Sequence, residues 1–170
     1  MITIEQVIYV IPILALTASI LYYSFNLRTA NKAQQLAIES RQAQIFMNLY
    51  DTYRDKEFRS YTTELRGWSW QDFDEFWDKY GEANNPEAWN IWITVALFYN
   101  GMGVLLMKNL IEIELIEELF SNVVFGAWSR MGDIILEHRN RQKRHLASRD
   151  TFHGFEYLYK ELEKRATILE

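Results

Sequence analysis

The sequence predicts an all-α protein: one N-terminal transmembrane helix continuing into a small cytoplasmic helical bundle. Three observations carry that expectation. The stretch from Gln6 to Leu27 holds no Asp, Glu, Lys or Arg. Only 2 prolines and 7 glycines interrupt 170 residues, so helix breakers are scarce. Beyond Leu27, apolar residues recur at the three- and four-residue spacing of a buried helix face, and no stretch alternates with the period of a strand.

The charge-free stretch comes first. Its residues rise about 1.5 Å each, giving roughly 33 Å against a hydrocarbon core of about 30 Å. A cleaved leader would need a basic start and a small-residue cleavage site. Here Glu5 is the only charge ahead of the core, and the core closes on Tyr22-Tyr23-Ser24-Phe25. A buried core helix would be shorter and carry a polar face. Tyr9 near one end and Tyr22, Tyr23 and Phe25 near the other suit the headgroup level. Pro12 is tolerable in the first turns, where neighbours or local adjustment satisfy the freed carbonyl. Arg28, Lys32 and Arg41 follow the span and no Lys or Arg precedes it. The positive-inside bias then puts the N-terminus outside the cell membrane and the remainder in the cytoplasm. Ala15 and Ser19 make a small-xxx-small pair, a pattern common enough by chance to carry little.

Composition narrows the rest. Glu5 is the only one of 23 acids before Arg28, so the remainder holds 22 acids against 18 bases, net −4. That mild acidity argues against a general nucleic-acid binder. Zero cysteines exclude disulfides, thiolate nucleophiles, iron–sulfur clusters and cysteine zinc sites. Aromatics at 15%, with 6 Trp, imply extensive ring packing or an aromatic-rich interface.

The elements then follow in order. Residues 28–37 lack an apolar stripe and suit a helical stalk between the anchor (1–27) and the helical domain (38–170). From Ile38 a stripe begins, through Ile45, Phe46, Leu49 and Tyr53, so one helix is expected from about 3 to about 54. A turn near Arg54–Glu57 precedes a short helix over 57–66, stopped at Gly67. Ser69 and Asp72 have capping-box spacing and open a helix through Tyr80, ending at Gly81. Asn85-Pro86-Glu87 combines a cap, a proline for the first helical position and a first-turn acid. It opens a helix from Ala88 to Met107, and further helices are expected over 112–121, 122–143 and 150–166.

The stretch 88–107 is long and uncharged enough to be weighed as a second span. Asn90, Thr94, Asn100, Gly101 and Gly103 dilute it, and a second crossing would carry Arg139, Arg141, Lys143, Arg144 and Arg149 outside. A central core helix is the preferred reading. Gly101 and Gly103 then mark a close approach of another helix, at about 1 kcal/mol of propensity each.

No catalytic constellation stands out. Asp72, Asp74, Glu75 and Asp78 read as a solvated acidic helix start favoured by the macrodipole, as do Glu112, Glu114, Glu117 and Glu118. His138 and His145, seven apart, are too distant for a shared metal, and the zincin and di-iron spacings are absent. Serine-nucleophile, phosphate-loop and kinase signatures are missing. No metal, no cofactor and no enzymatic activity are therefore expected. The basic run from Glu137 to His145, with Arg149 beyond, reads first as a solvated helix end. Second comes contact of Arg139, Arg141, Lys143, Arg144 and Arg149 with anionic lipid near the anchor. Nucleic acid is third, for want of interleaved aromatics.

One combination of residues carries a resemblance. The order is the N-terminal span, Gln44-Ile45-Phe46-Met47-Asn48-Leu49-Tyr50, Phe58-Arg59, a Trp-rich acidic helix, Ala88-Trp89, Phe98-Tyr99-Asn100-Gly101-Met102-Gly103, Leu119-Phe120 and Trp128. It resembles a family of short membrane-anchored helical proteins of unknown function, spread through bacteria and archaea, over most of the chain after about residue 10. The resemblance implies one span plus an all-helical cytoplasmic domain, and it brings no activity, cofactor or catalytic residue.

The leading functional expectation is a non-enzymatic single-pass membrane protein whose helical domain binds another protein, as scaffold or accessory subunit of a larger complex. Trp68, Trp70 and Trp77, clustered around a short acidic helix, are its candidate interface; their bland alternative is to cap a small core. The rival is a membrane-anchored sensor in which Trp89, Trp92, Tyr99 and Asn100, beside Gly101 and Gly103, enclose a small apolar or amphipathic ligand. Nucleic acid is not expected as a partner, and self-association through the span is left open.

Overall fold

The computed structural model describes residues 4–142 and 151–168, with side chains over 11–141 and 151–167. These residues form six helices and no strand: α1 (Ile4–Arg54), α2 (Lys56–Gly67), α3 (Phe73–Tyr80), α4 (Pro86–Met107), α5 (Ile113–Gln142) and α6 (His153–Ile168). The chain divides into two compact units, residues 1–41 and 42–170. The expected all-α class is what the residues build.

In the first unit the helix is uninterrupted, Pro12 included. The hydroxyls of Thr17, Ser19 and Thr29 turn back onto the carbonyls of Ile13, Ala15 and Phe25 at 2.8, 2.8 and 3.1 Å, satisfying themselves inside the helix. Every large apolar side chain from Ile11 to Leu27 is open, from 56% exposed at Ile20 to 73% at Phe25. Over 11–27 the helix carries large apolar side chains on all sides and has no buried stripe. Ile38, expected to open such a stripe, is 46% exposed.

In the second unit burial begins at Phe46, whose ring meets Phe120 edge-on at 6.0 Å. Asp55 breaks the chain between α1 and α2, and its carboxylate accepts the Glu57 and Phe58 amides at 2.8 and 3.3 Å as an N-cap. For α3 the cap is Asp72, which accepts from the Glu75 amide at 2.9 Å, while Glu75 accepts from the Gln71 amide at 2.6 Å. The capping pair thus lies three residues beyond the expected Ser69 and Asp72. Ser69 instead belongs to the connection, where its amide donates to the Tyr80 hydroxyl at 3.3 Å. Asn85 and Pro86 start α4 as expected, with the Asn85 carbonyl oxygen accepting the Ala88 amide at 3.1 Å.

Helix α4 is central: it packs against α2, α3 and α5 and most extensively against α6. It buries Trp92, Val95, Ala96, Tyr99, Met102 and Leu106. Among the described residues it is the one helix long and apolar enough to cross a membrane, and 39% of its most apolar 18 residues is buried within the structure. Its four helical neighbours give it the place of a core helix in this unit. A Cβ on Gly103 would lie well under 3.0 Å from the Gly154 carbonyl, so Gly103 does mark the expected close approach, with α6 as the neighbour. Gly101 does not: a Cβ there would meet nothing within 4 Å.

One helix replaces two in the next stretch. The expected break near Ser121-Asn122 is absent, and α5 runs unbroken from Ile113 to Gln142. Phe120 and Val124 are both buried one turn apart, so the apolar stripe passes straight through the two polar residues.

Candidate functional site

The three tryptophans expected at an interface are each half-buried and face inward. Trp68, in the α2–α3 connection, stacks on Tyr80 at 4.2 Å with the planes 4° apart. Trp70 meets Phe76 edge-on at 5.1 Å and lies 5.6 Å from the Arg130 guanidinium. Trp77 stacks on Phe73 and on His138, both at 5.4 Å, and meets Trp89 edge-on at 5.2 Å. They cap the core between α3, α4 and α5, and each stays partly exposed. Burial holds the His138 imidazole below its ordinary pKa.

Trp89 and Trp92 belong to the same ring network. Trp89 stacks on Trp92 at 5.0 Å, and Trp92 meets Phe76 at 5.7 Å and Phe152 at 5.5 Å. The Trp92 indole nitrogen is buried without a hydrogen-bond partner. Asn100 accepts the Gly154 amide at 2.9 Å and so ties α4 to the first turn of α6. Among the residues expected around a ligand, these three are committed to packing. Tyr99 differs: its ring stacks on Phe155 at 4.9 Å, and it also lines open space.

The basic stretch is committed too, as far as it is described. The Arg139 guanidinium pairs with Glu156 and donates to the Thr151 carbonyl at 2.7 Å. Burial raises the Glu156 carboxyl, and the Lys160 and Arg139 hydrogen bonds outweigh it, leaving the group below the usual carboxylate range. Arg141 pairs with Asp74 and, at 2.9 Å, with Glu137, and sits 4.2 Å from the Phe73 ring centre. Lys143, Arg144 and Arg149, together with His145, lie outside the described residues. Three of the four acids around α3 are likewise engaged, with Asp72 capping, Asp74 on Arg141, and Glu75 on Lys79 at 2.6 Å. Among the described residues no three His, Asp or Glu side chains gather around one point.

The open space beside Tyr99 is a cavity of about 320 Å³ between the end of α1, α2, α4 and α5. Leu65, Val95 and Tyr99, all buried, line it together with Val123 and Ala127. Its polar groups are Tyr53, Thr62, Arg66, Asn122 and Arg130, and no carboxylate lines it. Arg130 donates through Nη2 to the Trp68 carbonyl at 2.6 Å, while its Nε is buried with no hydrogen-bond partner. Burial pushes the Tyr99 phenol well above its ordinary pKa, with the nearby Tyr53 adding to the rise and Arg66 opposing it. It is therefore a neutral hydroxyl, able to donate as well as accept. Gly126 leaves part of the wall bare: a Cβ there would meet nothing within 4 Å.

Sequence reasoning picked out Tyr99 and missed the rest of this lining. Arg130 carried the one available signal, a lone cation inside the apolar run Val123-Val124-Phe125-Gly126-Ala127-Trp128-Ser129-Arg130-Met131. Arg66, in the last turn of α2, and Gly126, inside α5, carried no such signal. The chain belongs to a family described as a domain of unknown function, DUF4760, whose profile matches residues 10–162. No curated protein and no solved structure matches it.

Proposed function

We propose, with membership of that family as the premise, that the chain is a non-enzymatic single-pass membrane protein whose helical unit works through a protein partner. The N-terminus lies outside and the unit beyond residue 41 in the cytoplasm, as scaffold or accessory subunit of a larger complex. The observation that supports the anchor is the helix from Ile11 to Leu27, whose large apolar side chains are all at least 56% exposed. A helix apolar on every side needs lipid or protein around it, and the uncharged stretch has the length of a bilayer core. The test is extraction of the full-length chain from its native membrane in mild detergent, followed by mass spectrometry of what accompanies it. A stoichiometric companion is the expected result; a protein that resists alkaline extraction yet emerges alone keeps the anchor and removes the partner.

A second reading, a membrane-anchored sensor of a small ligand, is supported by the cavity of about 320 Å³ beside Tyr99. Its size falls within the range of small-molecule sites, and apolar walls with a few polar groups are their usual lining.

A further inference from the structure

We infer that the cavity between α2, α4 and α5 takes an anionic amphipath, a monocarboxylate with a compact apolar body, held by Arg130 and Arg66. The inference rests on the sensor reading of this same cavity and names its ligand class. The charge balance of the lining selects the anion. Two guanidinium groups line the space and no Asp or Glu does. Elsewhere in this unit arginines are neutralised: Arg54, Arg139, Arg141 and Arg165 each pair with a carboxylate. Arg59, Arg66 and Arg130 do not, among the described residues; Arg59 and Arg66 are exposed, and Arg130 is part-buried. Arg130 is a cation held at a part-buried site without a counter-charge, which is costly. A carboxylate in the cavity would supply that counter-charge, with a charge-assisted hydrogen bond.

The body of the ligand follows from the walls. Leu65, Val95, Val123 and Ala127 offer only aliphatic surface, and Tyr53 and Tyr99 add ring faces. The volume equals about ten water molecules at roughly 30 Å³ each, room for a medium-chain acid and too little for a whole phospholipid. The Tyr99 hydroxyl, with no hydrogen bond among the described residues, adds a neutral donor to the two cations.

The experiment uses the full-length chain in phosphatidylcholine nanodiscs, with radiolabelled octanoate, equilibrium dialysis and empty nanodiscs as blank. Saturable octanoate uptake above the blank is expected, with 1-octanol bound at least about tenfold more weakly, a difference of about 1.4 kcal/mol. Gly126→Leu, which fills bare space, should cut octanoate affinity at least about tenfold while the protein unfolds at an unchanged or higher temperature. Arg130→Gln should do the same to affinity, and Arg66→Gln, a more exposed position, provides the anion test should Arg130→Gln weaken the fold. Equal binding of octanoate and octanol overturns the anion assignment and leaves a ligand pocket. No saturable uptake of either, or uptake indifferent to Gly126→Leu, overturns the pocket and the sensor reading together.

Discussion

Gly103 and Gly154 face each other across the α4–α6 crossing so closely that a Cβ on Gly103 would lie well under 3.0 Å from the Gly154 carbonyl oxygen. Backbone meets backbone there, and a neighbouring side chain cannot swing aside to make room. Asn100 locks the same crossing by accepting the Gly154 amide at 2.9 Å, and the Tyr99–Phe155 stack lies beside it. The α4–α6 contact, the most extensive in the second unit, is thus set by two residues without side chains.

Gly103→Ala should therefore destabilise the helical unit by about 2 kcal/mol, the strain of overpacking exceeding the gain of about 1 kcal/mol in helix propensity. Gly101→Ala, two residues away with open space around it, should be neutral or stabilising by up to about 1 kcal/mol. Thermal unfolding of the full chain in one lipid environment compares them. Equal effects at the two positions would mean that α6 does not sit on Gly103.

Asn109 closes α4 in a left-handed conformation, φ 53°. Its amide donates to the Leu106 carbonyl and that of Leu110 to the Leu105 carbonyl, both at 2.9 Å, which is the Schellman pattern. Asn109→Gly should hold or raise stability, whereas Asn109→Val should lower it by about 1–2 kcal/mol, since a branched Cβ crowds the carbonyl in that conformation. The order of the melting temperatures, Gly at or above Asn and both above Val, checks this.

The tryptophan cap gives a prediction that separates core from interface. Trp77→Ala removes a ring that touches Phe73, Trp89 and His138, and should cost about 2–4 kcal/mol, near the loss typical of a large aromatic truncation. Near-ultraviolet circular dichroism and thermal unfolding measure it. A Trp77→Ala protein that melts like the parent but loses a companion in the detergent extract would restore this ring to the interface.

Two groups should make stability fall with acid. His138 has its folded pKa below its unfolded value of about 6.5, so the unfolded chain takes up the proton first, and stability declines as pH drops below that value. Glu156 is also held low when folded, so its contribution is complete above the unfolded carboxylate value of about 4.3 and disappears as pH falls through the folded one. His138→Phe should flatten the upper of these two declines and Glu156→Gln the lower, in unfolding free energies measured against pH.

Because the chain has 0 cysteines, orientation can be read without background. With Ile2→Cys or Glu170→Cys in intact cells, an impermeant maleimide should label the first and spare the second. The reverse pattern would invert the proposed topology.

Helix existence and most helix ends were legible in the sequence, because they depend on neighbours in the chain. Asn85-Pro86 capped α4 where expected, and the break at Asp55 fell at the expected turn. The errors came where local signals competed. Ser69 and Asp72 had the spacing of a cap, yet Asp72 with Glu75 makes one too and leaves Trp68 and Trp70 free to pack on Tyr80 and Phe76. Ser121-Asn122 looked like a break, and the burial of Phe120 and Val124 overrode it.

By itself the sequence determined an all-α chain with a charge-free stretch over residues 6–27, because periodicity, caps and breakers act within a few residues of one another. Tertiary structure alone decided that Gly103 packs closely and Gly101 does not, that Trp68, Trp70 and Trp77 cap the core, and that Arg66 and Arg130 share a cavity with Tyr99. Each of these depends on which side of a helix meets which neighbour. A single strand of letters carries the spacing along a helix, while the partner across it is chosen only when helices distant in the chain pack together.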